Sequence, residues 1–245
     1  MVSKNQIKLI ISLRQKKFRV EHQMFIAEGF KVISEFIEAG FELLNLYVTD
    51  SNLFDNDEMF SVVISEQELK KMSALVTPNN CLAVFKIPKA KPFSDSGLVV
   101  ALDDIRDPGN LGTIIRLCDW FGIEQLFCSE TTVDVYNPKV IQSTMGSVSR
   151  VAVVYGDLAK MLKTTTLPIY GTFMDENSIY SEDFSKEGII IMGNEANGIS
   201  EGIACLVQHK ITIPRFGAIQ KTESLNVATA TAIVLSEIQR KINGK

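Results

Sequence analysis

Two stretches, Leu98–Leu102 and Gly188–Met192, are unbroken apolar runs five residues long. A strand with one wet face alternates apolar and polar residues; an unbroken run marks a strand covered on both faces. Helices on both sides of a parallel sheet provide that cover, so these runs commit the chain to an α/β fold. The neighbouring sequence keeps the same rhythm. Strands are expected at Gln125–Cys128, Val151–Val154, Pro168–Thr172 and Lys210–Ile213. Helices are expected near Pro138–Met145, at Asp157–Leu162, around Ser200–Val207 and at Leu225–Arg240.

The first ninety residues form a smaller α/β pattern of their own. A helix is expected over residues 5–17, with Ile7, Ile10, Ile11 and Arg14 on neighbouring turns. A second runs from Phe30 to Ala39 and stops at Gly40,. Strands at Leu43–Val48, Ser61–Ile64 and Cys81–Ile87 surround a short helix that ends at Met72, opened by the capping box Ser65–Glu68,. Two prolines and a Ser/Asp/Gly run between Pro88 and Gly97 then break the composition as a linker does,. The expected boundaries are a first domain over 1–90, a linker over 91–97 and a second domain over 98–245.

Composition narrows the function. No apolar run approaches the length of a membrane span, and MVSKNQIKLI has no signal-peptide pattern,. The four cysteines show no CxxC pairing and read as buried, reduced thiols of a cytoplasmic protein,. His22 and His209 offer no metal-ligand spacing, which disfavours zinc chemistry and a Ser-His-Asp triad,. No metal and no membrane partner are expected. The net charge is −4, unevenly spread: residues 1–92 carry 12 Lys and Arg against 11 Asp and Glu. The basic run that includes Arg14, Lys16, Lys17 and Arg19 precedes any acid and is a candidate phosphate-contacting patch, with a solvated helix face as the plain alternative,.

Chemistry-bearing residues gather where the apolar runs end. After Leu102 come two aspartates, a Pro108–Gly109 turn and Asn110, placed to cap a helix whose apolar stripe is Leu111, Ile114, Ile115 and Cys118,. Arg116 points off that stripe,. After Met192, the loop GNEANG brackets Glu195 between Gly193 and Gly198, which permit close backbone approach or positive φ,. A third segment, ITIPRFGAIQKTESLNVATATAI, breaks its strand at Pro214 and offers Ser224 as the cap of the last helix,. No phosphate-loop or GxGxxG fingerprint is present, which disfavours a nucleotide-dependent enzyme,.

In that order, PGNLGTIIR, GNEANG and the Ile-Pro to Ser-Leu-Asn-Val segment resemble motifs 1, 2 and 3 of the SpoU class of RNA ribose 2′-O-methyltransferases. FIAEGFKVISE and CLAVFKIP resemble the L30e-related substrate-binding domain that precedes the catalytic domain in many of these enzymes. The resemblance implies a C-terminal trefoil-knot domain, S-adenosylmethionine as cofactor, a homodimer and structured RNA as substrate, ribosomal more than transfer RNA. It implies cofactor contacts at Thr172, Gly193, Ile213 and Leu225. It also implies active-site roles for Asn110, Arg116, Glu195, Ser224 and Asn226. A relative that binds RNA without catalysis is the alternative. The loop between Pro214 and Ser224 is longer than the family pattern, which leaves its conformation open.

Overall fold

The computed structural model describes residues 2–54, 61–217, 219 and 224–244. The chain divides into two compact units, Met1–Lys89 with Asp134–Arg150, and Ala90–Val133 with Val151–Lys245.

The first unit opens with two helices, α1 (Lys4–Ser12) and α2 (Lys16–His22), where the periodicity predicts one. The chain turns at Leu13, which is fully buried, and the tight bonds Arg14 N to Ile11 O and Gln15 N to Ser12 O close off the first helix. Strand β1 (Met24–Glu28) follows, then α3 (Phe30–Glu38), β2 (Leu43–Val48), β3 (Ser61–Val63), α4 (Glu66–Met72) and β4 (Cys81–Lys86). The sheet order is β1-β4-β2-β3, antiparallel except for β2 with β3. Strand β1 escapes a reading by alternation because four of its five residues are buried.

The second unit is a six-stranded sheet in the order β10-β8-β9-β5-β6-β7, every pair parallel. It begins with β5 (Leu98–Asp103), α5 (Pro108–Trp120) and β6 (Gln125–Ser129). The chain then returns to the first unit for Asp134–Arg150, including α6 (Pro138–Thr144). It resumes with β7 (Ala152–Gly156), α7 (Leu158–Thr164), β8 (Ile169–Ser178) and β9 (Gly188–Gly193). A one-turn α8 (Glu201–Ala204), β10 (His209–Thr212) and α9 (Val227–Ile242) complete it. Strand β8 runs well past the expected Pro168–Thr172: its first residues pair with β9, and its far end pairs with β10 after a register shift at Lys210/Ile211. The apolar runs are the central pair β5 and β9, and Val99 through Leu102 are fully buried.

The helix near Pro138, expected in the second domain, thus packs in the first unit. Tyr136 packs tilted against Phe25 with ring centroids 4.8 Å apart, extending the cluster of Phe25, Phe36, Phe41 and Phe85. Arg19 reaches the same segment. It is only 2% exposed, donates through Nε to Asp134 Oδ2 at 2.9 Å, and also donates to the carbonyls of Leu13 and Arg14. Arg19 is therefore no RNA contact, because its guanidinium is already spent inside the protein. Arg14 is exposed, yet it donates to the carbonyls of Lys71, Met72 and Ser73 at the end of α4. Lys16 and Lys17 are exposed, with Lys17 Nζ over the Phe18 ring.

Cys81, Cys118 and Cys128 are buried, and burial pushes the Cys118 thiol up to about 12. Cys205, expected to be buried with them, is exposed at the C-terminal end of α8, which stops at Ala204 where a helix to Val207 was expected. Among the described residues no helix is long and apolar enough to cross a membrane, and no group of His, Cys, Asp and Glu is placed to hold a metal.

Removing one partner of a buried ion pair strands the other charge. Asp134→Ala is expected to cost about 3 kcal/mol of stability, read as a lower urea midpoint by circular dichroism.

Candidate active site

Strands β5 and β9 end side by side, with Asp103 opposite Gly193 as their last register pair. In a parallel sheet this carboxyl edge is where ligands bind. The loop after β9 folds back hard on its own strand. A Cβ built on Gly193 would lie 2.2 Å from the carbonyl carbon of Gly198 and 2.3 Å from the amide nitrogen of Ile199. Only glycine allows that approach. Asn194 N donates to Gly198 O at 3.0 Å and Gly198 N to Asn194 O at 2.8 Å, with Gly198 at φ +67.

The same loop is fastened to the end of β5. Asn194 Nδ2 donates to the Asp104 carbonyl at 2.7 Å, and the Ser200 amide donates to the Asp103 carboxylate at 2.8 Å. Asn194 Oδ1 also accepts from the amides of Ala196 and Asn197. Neither Asp103 nor Asn194 is among the residues singled out in the sequence. The signal for Asn194 was the Asx-turn chemistry of its position in GNEANG. For Asp103 it was an acid closing an apolar strand.

Helix α5 is capped by Asp107, not Asn110. Asp107 Oδ1 accepts from the Asn110 amide at 2.8 Å, and Pro108 takes the first helical position. Proline is favoured there, so Asp-Pro was the better start signal. Asn110 sits one turn in, and its side chain is free for other work. Its Nδ2 donates to Glu195 Oε1 at 2.5 Å, and its Oδ1 accepts from Asn226 Nδ2 at 2.9 Å. Asn226 in turn caps α9, in place of Ser224, with Oδ1 accepting from the amides of Ala228 and Thr229 at 3.0 and 3.2 Å. One residue from each of the three motif segments is thus joined in a single hydrogen-bonded line.

The direction of that line follows from elementary donor counting. Backbone amides only donate, so Asn226 must turn its oxygen toward α9 and its NH₂ toward Asn110. Asn110 must then present oxygen to Asn226 and NH₂ to Glu195. Glu195 Oε1 accepts from that NH₂,.

Glu195 borders a cavity of about 700 Å³. Thr172, Gly193, Ile213 and Leu225 line it together, as does Ser224, which is exposed. Phe173, Met174, Phe216 and Ile219 contribute much of its apolar wall and were not singled out in the sequence. Part of the long loop, residues 218 and 220–223, lies outside the described residues.

Arg116 does not join this group. It is six residues beyond Asn110 on α5, which places it about 9 Å along the axis and about 120° around it. It is exposed, is absent from the cavity lining, and has no hydrogen bond or ion pair among the described residues. The two active-site residues expected on this helix, Asn110 and Arg116, therefore stand on different turns and different faces of it.

Two substitutions separate the capping role of Asn226 from its role in the line. Asn226→Ala removes the cap and is expected to lower stability by about 1 kcal/mol. Asn226→Asp still accepts from α9, so the urea midpoint is expected to stay near wild type. Lacking an NH₂, it would leave Asn110 without its donor, which amide NMR of Asn110 would report as a changed side-chain environment.

The comparisons with known proteins cover both units. The SpoU rRNA Methylase family matches residues 97–236, and the MRM3-like substrate binding domain matches residues 4–83. The chain is similar to the 23S rRNA (guanosine(2553)-2'-O)-methyltransferase of Bacillus subtilis, 29% identical over 97% of each chain. Among solved structures, a TrmH-family chain from Porphyromonas gingivalis is 36% identical, with a TM-score of 0.90 over 98% of this chain and 99% of that one. An AdoMet-bound rRNA methyltransferase from Sinorhizobium meliloti is 26% identical, with a TM-score of 0.85 over 98% of this chain and 97% of that one. With its three motif segments in order, its parallel sheet and these matches, the chain belongs to the SpoU rRNA methylase family.

Proposed function

We propose that this protein is an S-adenosylmethionine-dependent RNA ribose 2′-O-methyltransferase that acts on structured ribosomal RNA. The observation that carries the reading is the convergence of three distant segments on one cavity. Thr172, Gly193, Ile213 and Leu225 line it, and the Glu195–Asn110–Asn226 line stands at its edge. The names of the relatives point the same way: the Bacillus subtilis protein is a 23S rRNA 2'-O-methyltransferase, and the Sinorhizobium meliloti structure holds AdoMet.

The residues present suit the cofactor. Gly193 and Gly198 line the cavity without side chains, and Ile213, Leu225 and Phe216 supply apolar surface for a nucleoside,. Bound there, S-adenosylmethionine supplies a methyl group on a sulfonium. The protein's own part is to hold the target ribose at the cavity edge and to manage the 2′-hydroxyl proton.

Arg116 would serve by electrostatics. A guanidinium stays protonated in a protein, so it holds a phosphate or steadies a developing oxyanion without taking a proton. The first unit would add RNA affinity through Lys16 and Lys17. We further propose a homodimer. Trp120 is 83% exposed and lies four residues from Arg116, on the same face of α5, as a helix-borne contact surface would be,. Four unpaired cysteines suit the cytoplasm,.

Labelled methyl transfer to in vitro transcribed ribosomal RNA tests the reading, with calorimetry for the cofactor. Arg116→Ala is expected to keep cofactor affinity and lose about a hundredfold in rate. Replacing Lys16 and Lys17 with Gln should flatten the salt dependence of RNA binding, since each lost phosphate contact lowers the slope by about 0.7 to 0.9. A wild-type protein that binds no S-adenosylmethionine would defeat the reading.

A further inference from the structure

The first unit holds a second cavity, of about 320 Å³, that methyl transfer does not use. Its walls come from Glu66, Leu69 and Lys70 of α4 and from Pro78, Asn79 and Asn80 of the loop that follows. Resting on the ribosomal RNA reading, we propose that this cavity binds one unpaired guanine of the RNA, a nucleotide distinct from the one that is methylated.

The loop after α4 is fixed at both ends. At its start, the buried Glu28 accepts from Ser73 Oγ and from the Ala74 amide at 2.8 Å, while Arg14 donates to the carbonyls of Lys71, Met72 and Ser73. At its end, the Asn80 carbonyl accepts from the Thr49 amide at 3.0 Å and from the Thr49 hydroxyl at 3.2 Å. Gly29, at φ +88, passes so close that a Cβ there would lie 2.9 Å from Asn79 Nδ2. Only glycine suits both the angle and the approach. Yet the groups this frame displays are unspent. The Asn79 side chain is exposed and makes no hydrogen bond among the described residues. Glu66 and Lys70 stand one turn apart on α4, a spacing that favours an ion pair, and form none among the described residues,. A rigid frame that holds unpaired polar groups at a loop is the usual construction of a binding site.

The chemistry of the lining selects the occupant. Leu69 and Pro78 supply an apolar surface for a flat ring. The volume lies at the lower end of the range for small-molecule sites, roughly 300–1,000 Å³, which suits one base. Asn80 Oδ1 accepts from Cys81 Sγ at 3.6 Å, so its NH₂ remains to donate. The cavity thus offers a carboxylate that accepts, and an NH₂ and an ammonium that donate. Guanine answers both. Its N1–H and exocyclic amine lie side by side, so they can meet the two oxygens of one carboxylate, and its O6 and N7 accept. Adenine and cytosine bring only an amino group to a carboxylate, and uracil a single N–H between two carbonyls. Pairing hides this edge of guanine, so the base must come from a loop or bulge, where RNA sequence is read.

The test uses the full-length protein. Guanosine monophosphate is expected to shift the side-chain NH₂ signals of Asn79 and Asn80 in amide NMR, and uridine monophosphate at the same concentration to leave them in place. With ribosomal RNA transcribed in vitro, Glu66→Gln is expected to weaken binding about tenfold or more and to raise KM for RNA by the same factor. Its kcat, its cofactor affinity and its urea midpoint should stay near wild type. The direction is decisive: a carboxylate that is merely a surface charge repels phosphates, so its loss would tighten RNA binding. Asn79→Ala is expected to weaken binding by a similar factor with an unchanged salt slope, because it removes a base contact and no phosphate contact. Glu66→Gln that binds RNA as tightly as wild type, or more tightly, overturns the proposal, even where guanosine monophosphate binds, since the cavity would then serve a free nucleotide. Guanosine monophosphate that moves neither signal overturns it, as does uridine monophosphate that moves both equally. A wild-type protein that transfers no methyl to this RNA defeats the methyltransferase reading, while the nucleotide titration and RNA binding decide the guanine site separately.

Discussion

Asn226 has no choice of orientation. The first amides of α9 need an acceptor, its side-chain oxygen supplies one, and the NH₂ is then turned outward,. Because amide hydrogen bonds have a sense, that single constraint is passed to Asn110 and from there to Glu195. A helix cap, ordinarily a local device of stability, here sets the polarity of groups contributed by three separate segments of the chain. The loops themselves are placed by the sheet: β5 and β9 are neighbours, so the segments that leave them begin side by side.

Much of this was legible in advance, for a physical reason. Leu98–Leu102 and Gly188–Met192 are apolar without interruption, and a strand with no wet face belongs in the middle of a covered sheet,. Glycine at 193 and 198 advertised a backbone in close quarters, which the Gly193 approach to Gly198 bears out. The caps were harder. Asp107, Asn110, Ser224 and Asn226 are all capping residue types, and side-chain chemistry alone does not say which one stands at the boundary,. Offsets of two or three residues mattered, since moving the caps to Asp107 and Asn226 freed Asn110 to bridge the motifs.

Charge was the least readable feature. Arg14, Lys16, Lys17 and Arg19 look alike as a basic run, yet one is buried against Asp134, one donates to the end of α4 and two face water. Sequence records where a cation is, not which way its chain turns. The break at Leu13 that divides α1 from α2 decides that, and an unbroken periodicity over residues 5–17 concealed it.

The passage of Asp134–Arg150 through the first unit changes what a domain means in this chain. The polypeptide passes between units three times, near residues 89, 133 and 150, so no single cut in the sequence yields two whole pieces. A gene fragment that starts at the proline-rich linker would carry α6 away from the aromatic cluster that receives Tyr136. Residues 1–89, expressed alone, would lack the segment that neutralises Arg19. Exchange of the substrate-binding part between relatives, whether by recombination or by design, therefore has to move two separated stretches of sequence together.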